Sequence, residues 1–276
     1  MEGKKEKNYS WLVLSILVLL FLYGFDYELN YFYNEDIKAM DYFLGIASSL
    51  LLLIYILPLG LILYRLGLNL GIDKKVITIY LVCGMFIPGF LAAFANDKGG
   101  LFLKDLLSKN TYESWGLALT APFNEEFIKL FVLVGILYLL KKKAISDYFI
   151  GGFAIGLGFQ IMEDISYIGS DGLSNMDNLY PLVLSRVSGG LSSHWTYTAI
   201  FALGFYFLFK EKKISKGLVL IIFVLINHLI WDSPYGEYRL VGTLLSGSML
   251  IVLFYLYKKH FVNNLYKELI WKILVC

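Results

Sequence analysis

The chain has 276 residues, of which 58% are hydrophobic, 17% aromatic and only 17% charged. Soluble domains are typically ~45–50% apolar and ~25% charged, so both deviations indicate a membrane protein. The composition argues against a disordered or nucleic-acid-binding protein and against an ordinary cytosolic enzyme. Its two cysteines, Cys83 and Cys276, lack the spacing of a zinc-thiolate site and argue against a disulfide framework. We therefore expect an integral membrane protein without a sizeable soluble domain.

Eight apolar stretches are candidates for membrane-spanning helices, which need about 20 mainly apolar residues. In chain order they are 10–25, 43–66, 76–96, 114–140, 147–168, 181–209, 216–233 and 238–257. None alternates as a barrel strand would, and the first lacks a following cleavage site, so we predict an uncleaved helix. The expected fold is all-α, a polytopic bundle of about eight transmembrane helices in a single domain, 1–276, with a polar core at about 114–235.

The distribution of Lys and Arg predicts the orientation, because cytoplasmic loops carry the excess of both. Of the 24 Lys and Arg residues, 17 would lie on the cytoplasmic side and only five on the outside. The other two, Lys129 and Arg186, lie within predicted spans. The outside set is Lys38, Lys98, Lys104, Lys109 and Arg239. An acidic loop, 25–42, would be external, with Asp26, Glu28, Glu35, Asp36 and Asp41. We expect a multi-pass protein of the cell membrane with both termini in the cytoplasm.

Ionisable residues inside the predicted spans mark a candidate site, because each costs roughly 2.5–3.5 kcal/mol at mid-membrane. They are confined to the fourth to seventh spans, while spans one, two, three and eight are essentially hydrocarbon. At ~1.5 Å per residue, most lie at one depth, ~18–24 Å from the cytoplasmic ends. An alternative interpretation places Asp164 and Arg186 near the outer interface, with their charged groups reaching water. The shared depth predicts one site, formed by Glu125, Glu126, Lys129, Glu163, His194, His228 and Asp232.

Helical spacing places some of these residues in pairs, because residues four apart share a face. Glu125 pairs with Lys129, Phe159 with Glu163, and His228 with Asp232. No GxSxG, HExxH or GxGD motif is present. Carboxylates with histidines can activate a water, one carboxylate accepting its proton while imidazoles stabilise the charge on a carbonyl oxygen. This chemistry indicates amide hydrolysis within the membrane, with no metal or other cofactor expected.

At these positions the sequence resembles the PrsW family of intramembrane proteases, which is related to the CAAX prenyl endopeptidase and Abi superfamily. The resemblance covers about 120–235 and rests on Glu125-Glu126-x-x-Lys129, Phe159-x-x-x-Glu163, His194 with Thr198, and His228-x-x-x-Asp232. It implies a glutamic-type protease whose best-known role is site-1 cleavage of a membrane-anchored anti-sigma factor. It further implies that Glu125 is the general base, that Glu126 supports it, and that His228 with Asp232 occupies the oxyanion-stabilising positions.

Two residues depart from the prenyl endopeptidase pattern. Glu163 stands where that branch has His, which favours the PrsW branch. Asp232 stands where it has Asn, and a carboxyl group donates a hydrogen bond only when protonated, so its oxyanion role stays open. The complete candidate catalytic set is Glu125, Glu126, Glu163, His194, His228 and Asp232, with Lys129, Asn227 and Phe159 in support.

Three other functions stay open at this stage. One is a zinc metalloprotease with the ligands His194, His228, Glu163 and Asp232. Another is a proton-coupled transporter that uses the polar groups as a relay, although the internal repeats of transporters are not evident. A non-catalytic scaffold would leave the buried charges unexplained. The expected partners are a single-pass membrane protein as substrate and the lipid bilayer, with no nucleic acid.

Overall fold

A computed structural model describes residues 9–30 and 38–262, and these residues are helical with no strand among them. The predicted all-α architecture is confirmed. The predicted cytoplasmic termini, with Glu35 and Asp36 of the acidic loop, lie outside the described residues. The helices are α1 (Ser10–Asn30), α2 (Ala39–Ser49), α3 (Leu53–Asn69), α4 (Lys74–Phe86), α5 (Pro88–Leu106), α6 (Lys109–Leu139), α7 (Ile145–Tyr167), α8 (Met176–Gly189), α9 (His194–Phe209), α10 (Ile214–Trp231) and α11 (Arg239–Tyr257).

Six helical segments of the described ranges are long and apolar enough to cross a membrane. A short 3₁₀ turn joins α2 to α3 in one of them, and α4 with α5 forms another. They correspond to the predicted spans one, two, three, five, seven and eight. The fourth predicted span lies in α6, whose apolar half carries Glu125, Glu126 and Lys129. These segments make the chain a polytopic helical membrane protein.

The sixth predicted span, 181–209, is wrong as a single helix. It is divided between α8 and α9, and Ser193 before α9 has non-helical backbone angles. The sequence between the two helices, 188–193, is Ser-Gly-Gly-Leu-Ser-Ser. Glycine and serine are both less favourable in the interior of a helix than at its ends and in turns. As a consequence, His194 is the first residue of a helix rather than a residue in the middle of a span.

Helix α7 is the centre of the bundle, and nearly all of its residues are buried between α4, α9 and their neighbours. A Cβ atom at Gly156 would lie 2.3 Å from the carbonyl oxygen of His194 on α9. At Gly158 it would lie 2.2 Å from the carbonyl oxygen of Leu81 on α4. Small residues let membrane helices approach in this way. The close packing fixes the start of α9 against the helix that carries Glu163.

Helix α1 extends to Asn30, beyond the predicted end at residue 25. Glu28, predicted in an external loop, is buried on this extension, and Ser166 Oγ donates a hydrogen bond to its Oε2 at 2.8 Å. No glycine or proline follows Gly24 before Asn30, so nothing in the sequence ends the helix at residue 25. The first span therefore brings a carboxylate into the bundle, contrary to the expectation that it is only hydrocarbon.

Candidate active site

Helix α6 places two carboxylates and an ammonium group in the bundle interior. Glu125, Glu126 and Lys129 are all buried, and Lys129 is completely inaccessible. Lys129 Nζ lies 2.6 Å from Glu126 Oε1 and 3.6 Å from Glu125 Oε2, at the i,i+3 and i,i+4 spacings of the helix. The predicted pairing of Glu125 with Lys129 is confirmed. Lys129 lies nearer to Glu126, so the shorter ion pair is made with the second glutamate.

Lys129 also joins α6 to two other helices. Its Nζ lies 3.0 Å from His194 Nδ1 and 4.3 Å from the centre of the Phe159 ring, a cation–π contact. On the other side of the pair, Thr198 Oγ1 donates to Glu126 Oε2 at 3.0 Å. Phe159 thus lies beside the cluster in the supporting position that the sequence predicts.

His194, at the start of α9, lies between the α6 charges and α7. Its Nε2 is 3.2 Å from Glu163 Oε2, and its Nδ1 is 3.7 Å from Glu125 Oε2. Because an ammonium group only donates hydrogen bonds, Nδ1 accepts from Lys129. The ring proton then belongs on Nε2, from which it is donated to Glu163. This arrangement defines one tautomer of His194.

His228, near the end of α10, is surrounded by carboxylates. Its Nε2 lies 3.3 Å from Asp232 Oδ2 and 3.8 Å from Glu125 Oε2, and its Nδ1 lies 3.6 Å from Glu126 Oε1. The Tyr197 ring stacks on the imidazole, with centres 4.8 Å apart and planes 9° apart. The predicted pairing of His228 with Asp232 is confirmed, although Asp232 lies just beyond the end of the helix.

Asn227 makes its side-chain hydrogen bonds with Tyr197 and with residues of α11. Its Oδ1 accepts a hydrogen bond from the Tyr197 hydroxyl at 3.0 Å, and its Nδ2 donates to Ser248 Oγ on α11 at 2.8 Å. These two bonds hold the Tyr197 ring against the imidazole of His228. Asn227 therefore contacts the cluster through Tyr197, and its supporting role stays a prediction.

Glu163 and Asp164 share one guanidinium group, from Arg186 of α8. Asp164 also accepts a hydrogen bond from the Tyr55 hydroxyl at 2.6 Å and is almost completely buried. The alternative that both groups merely reach water is wrong for Asp164, whereas the Arg186 side chain is 24% exposed and lines the cavity. Helix α8 ends at Gly189, beside α7, where Gln160 donates a hydrogen bond to the carbonyl oxygen of Gly190. This end of α8 places Arg186 next to the two carboxylates.

Asn96 of α5 is a site residue that sequence reasoning missed. Its Nδ2 donates to Glu125 Oε1 at 3.5 Å, while its Oδ1 accepts from Asn124 Nδ2 at 2.9 Å. The available signal was a lone amide at the end of the apolar run 88–95, in a span expected to be hydrocarbon. Tyr197 was also missed, because a tyrosine in an aromatic-rich helix carries no distinguishing signal.

A cavity of about 500 Å³ opens beside the cluster and receives residues from α1 and from α5 to α10. Glu126 and Lys129 do not line it, because they lie behind the other groups. The predicted site residues that face this space are Phe159, Glu125, Glu163, His194, His228 and Asp232. The structure thus brings the predicted set together and separates it into groups that face the cavity and groups that support them.

Three of the cavity residues could hold a metal ion. Glu125, His194 and His228 each offer a ligand atom, and these atoms lie within 4.8 Å of one another. Glu125 Oε2 and His228 Nδ1 make no hydrogen bond within the described part of the chain. Two imidazoles and a glutamate form a known catalytic zinc set, so these residues fit zinc in kind and in spacing. The ligands predicted from sequence included Glu163 and Asp232 instead of Glu125.

The position of Lys129 opposes a metal ion in this cluster. Its ammonium group lies 3.0 Å from His194 Nδ1 and 3.6 Å from Glu125 Oε2, two of the possible ligand atoms. A cation at that distance repels a second positive charge strongly in a low-dielectric interior. An ion would therefore have to displace the ammonium group from His194.

Comparison with known proteins identifies one family. Residues 73–258, about two thirds of the chain, match the sequence profile of a family described as "PrsW family intramembrane metalloprotease". The match begins at the N-cap of α4 and ends at Lys258, directly after α11, so it contains the whole polar cluster. No curated protein and no solved structure matches the chain.

Proposed function

Since this chain belongs to the PrsW family of intramembrane proteases, we propose that it hydrolyses a peptide bond of a membrane protein with Glu125 as the general base. The observation that carries the proposal is the environment of Glu125 Oε2. This atom is buried at the cavity, accepts no hydrogen bond from the described residues, and lies 3.7 and 3.8 Å from nitrogens of His194 and His228. A carboxylate oxygen placed in this way can accept a proton from a water.

The proposed reaction needs only the groups around the cavity. Glu125 takes a proton from a water, whose oxygen attacks the carbonyl carbon of the scissile bond. His228 lies at the cavity and stabilises the negative charge that develops on the carbonyl oxygen. When the C–N bond breaks, Glu125 returns the proton to the leaving amine, so that the carboxylate is regenerated. Glu125 is favoured over Glu126 as the general base, because of these two residues only Glu125 lines the cavity.

The other predicted catalytic residues support these two groups in the proposal. Glu126 and Lys129 form a buried pair that keeps a positive charge beside Glu125. Asp232 lies 3.3 Å from His228 Nε2, where a carboxylate orients the imidazole. Its position thus favours an orienting role over the oxyanion-stabilising role that the family resemblance implies. Glu163 orients His194 in the same manner.

Replacement of Glu125 by Gln in cells tests the proposal. We expect the full-length form of at least one membrane protein to accumulate and its cleavage fragments to disappear, as measured by comparing membrane proteomes with those of wild-type cells. Glu113→Gln is the matched control, because Glu113 lies on the same helix but is exposed and pairs with Lys109. Identical fragments from the Glu125→Gln and wild-type strains would contradict the assignment.

A zinc-dependent form of the same hydrolysis is the second candidate, favoured by the spacing of the possible ligand atoms. Glu125, His194 and His228 would hold the ion, which would supply Lewis-acid activation of a bound water. Metal analysis of the purified protein, with cleavage assays before and after strong chelation, separates the candidates. The glutamate proposal predicts no stoichiometric metal and unchanged cleavage. Loss of cleavage on chelation, with recovery on adding zinc, would support the metal-dependent form.

The substrate and orientation belong to the same proposal. Family resemblance favours a single-pass membrane protein as substrate, and an anti-sigma factor is the specific candidate. The proteome comparison identifies it by the fragments that depend on Glu125. The excess of Lys and Arg in alternate loops favours a cell-membrane protein with both termini in the cytoplasm. Labelling with an impermeant thiol reagent checks this, since Lys109→Cys should react from outside intact cells and Lys143→Cys should not.

A further inference from the structure

A second, mainly apolar groove lies on the outside of the bundle between α1 and α5. Its volume is about 440 Å³, and its walls are formed by Tyr23 and Tyr27 of α1 and by Phe90, Ala93, Phe94 and Asp97 of α5. Tyr23 and Phe94 are more than 60% exposed. Both helices belong to membrane-spanning segments, so this exposed aromatic surface faces lipid. We refer to this feature as the α1–α5 groove.

The α1–α5 groove adjoins the cavity of the candidate active site. Tyr27 and Ala93 line both spaces. Asn96, three residues after Ala93 on α5, also lines the cavity and donates its hydrogen bond to Glu125 Oε1. Since residues three apart lie on one side of a helix, one turn of α5 leads from the groove to Glu125. The two spaces therefore meet at Tyr27 and Ala93, and together they lead from the outer face of the bundle towards the buried carboxylates.

The chemistry of the walls changes between the groove and the cavity. At the lipid end, the Phe90 ring contacts the rings of Tyr23 and Tyr27, with centres 5.0 and 6.2 Å away, so the walls are largely aromatic. At the inner end, the walls carry carboxylates and imidazoles. The aromatic lipid end suits an apolar membrane-spanning segment. The polar inner end suits a stretch of that segment whose backbone is not helical, because such a backbone is tolerated in a protein-lined polar cavity but not in lipid.

From this adjacency we infer that the α1–α5 groove receives the membrane-spanning segment of the substrate and leads it to Glu125. The inference rests on the proposed function, which supplies the reaction at the inner end. A protease of this family acts on membrane proteins, whose segments reach the enzyme through the bilayer. An apolar groove beside a cavity that holds the proposed general base suits a segment whose peptide bond is to be hydrolysed.

Site-specific photo-crosslinking tests the inference. A benzophenone amino acid is placed at Phe94 in the Glu125→Gln protein, reconstituted with a biotinylated reporter that has one membrane-spanning segment of about 20 leucines and alanines. The matched control position is Ile251 on α11, which is equally lipid-exposed and does not line the groove. We expect crosslinking at Phe94 to exceed that at Ile251 about tenfold, a preference of about 1.4 kcal/mol. Equal yields at the two positions would overturn the inference.

A second variant separates docking from catalysis. Ala93→Trp should fill the groove and reduce crosslinking at Phe94, while crosslinking at Ile251 and the unfolding temperature of the protein stay unchanged. An undiminished yield at Phe94 would contradict docking in the groove. Crosslinking is read without cleavage, so the proposed base and the docking site can fail separately. If Glu125→Gln still cleaves but Phe94 crosslinks selectively, the base is wrong and the groove stands.

Discussion

Replacement of Lys129 by Met removes the positive charge at the centre of the cluster while keeping an unbranched side chain of similar size. Lys129 is completely buried, and its Nζ lies 2.6 Å from Glu126 Oε1 and 3.0 Å from His194 Nδ1. Removing one member of a buried ion pair leaves an uncompensated charge and typically costs about 3–5 kcal/mol. We therefore expect Lys129→Met to lower the free energy of unfolding by about 3–5 kcal/mol.

Lys109→Met is the matched control on the same helix. Lys109 also pairs with a glutamate four residues later, Glu113, at 3.8 Å, but its side chain is 85% exposed. Substitutions at such surface positions usually change stability by no more than about 0.5 kcal/mol. Unfolding of the purified proteins in detergent, followed by denaturant titration and by heating, measures both variants on one scale.

The double variant Lys129→Met with Glu126→Gln completes the test. Because both charges of the short pair are then absent, we expect it to be more stable than Lys129→Met alone. With Glu126→Gln also measured alone, the double-mutant cycle gives the coupling energy of the pair. The reasoning would be refuted if Lys129→Met were no more destabilising than Lys109→Met. It would also be refuted if the second substitution added a further loss of similar size.

Two further substitutions test how the site is positioned. Arg186→Met should lower kcat/KM by up to about 10²-fold and alter its pH profile, because Glu163 and Asp164 lose their shared guanidinium group. Arg186→Lys should restore activity only in part, since one ammonium group cannot make both contacts of the guanidinium. An unaltered pH profile would count against this role. Gly156→Ala should lower the unfolding temperature of the protein, because the added Cβ would lie 2.3 Å from the carbonyl oxygen of His194. Gly60→Ala is the control and should leave the unfolding temperature unchanged, since its Cβ would meet nothing within 4 Å. Equal unfolding temperatures of the two variants would contradict the packing argument.

Hydropathy and helical spacing were sufficient to predict a helical membrane bundle and most of the charged residues of the cluster. Charges in apolar helices are rare enough that Glu125, Lys129 and His228 stand out in the sequence, and a helix of 3.6 residues per turn dictates which of them can meet. The pair of His228 with Asp232 was predictable for this reason. The catalytic roles of all these residues stay predictions.

Features that depend on contacts between distant segments could not be predicted from the sequence. The division of span 181–209 follows from a run of glycine and serine that a hydropathy window averages with its apolar neighbours. Glu28 looks like a loop residue until the extension of α1 brings it to Ser166. Asn96 is a single amide, and only the packing of α5 against α6 shows that it reaches Glu125.

The turnover of purified Glu125→Gln protein, reconstituted in vesicles with the substrate that the proteome comparison identifies, tests the central claim most directly. General-base catalysis contributes typically about 10²–10⁴-fold. The account therefore predicts a fall in kcat of at least about 10²-fold, with an unfolding temperature close to that of the wild type and full activity in Glu113→Gln. Cleavage by Glu125→Gln at the wild-type rate would contradict the assignment of Glu125 as the base.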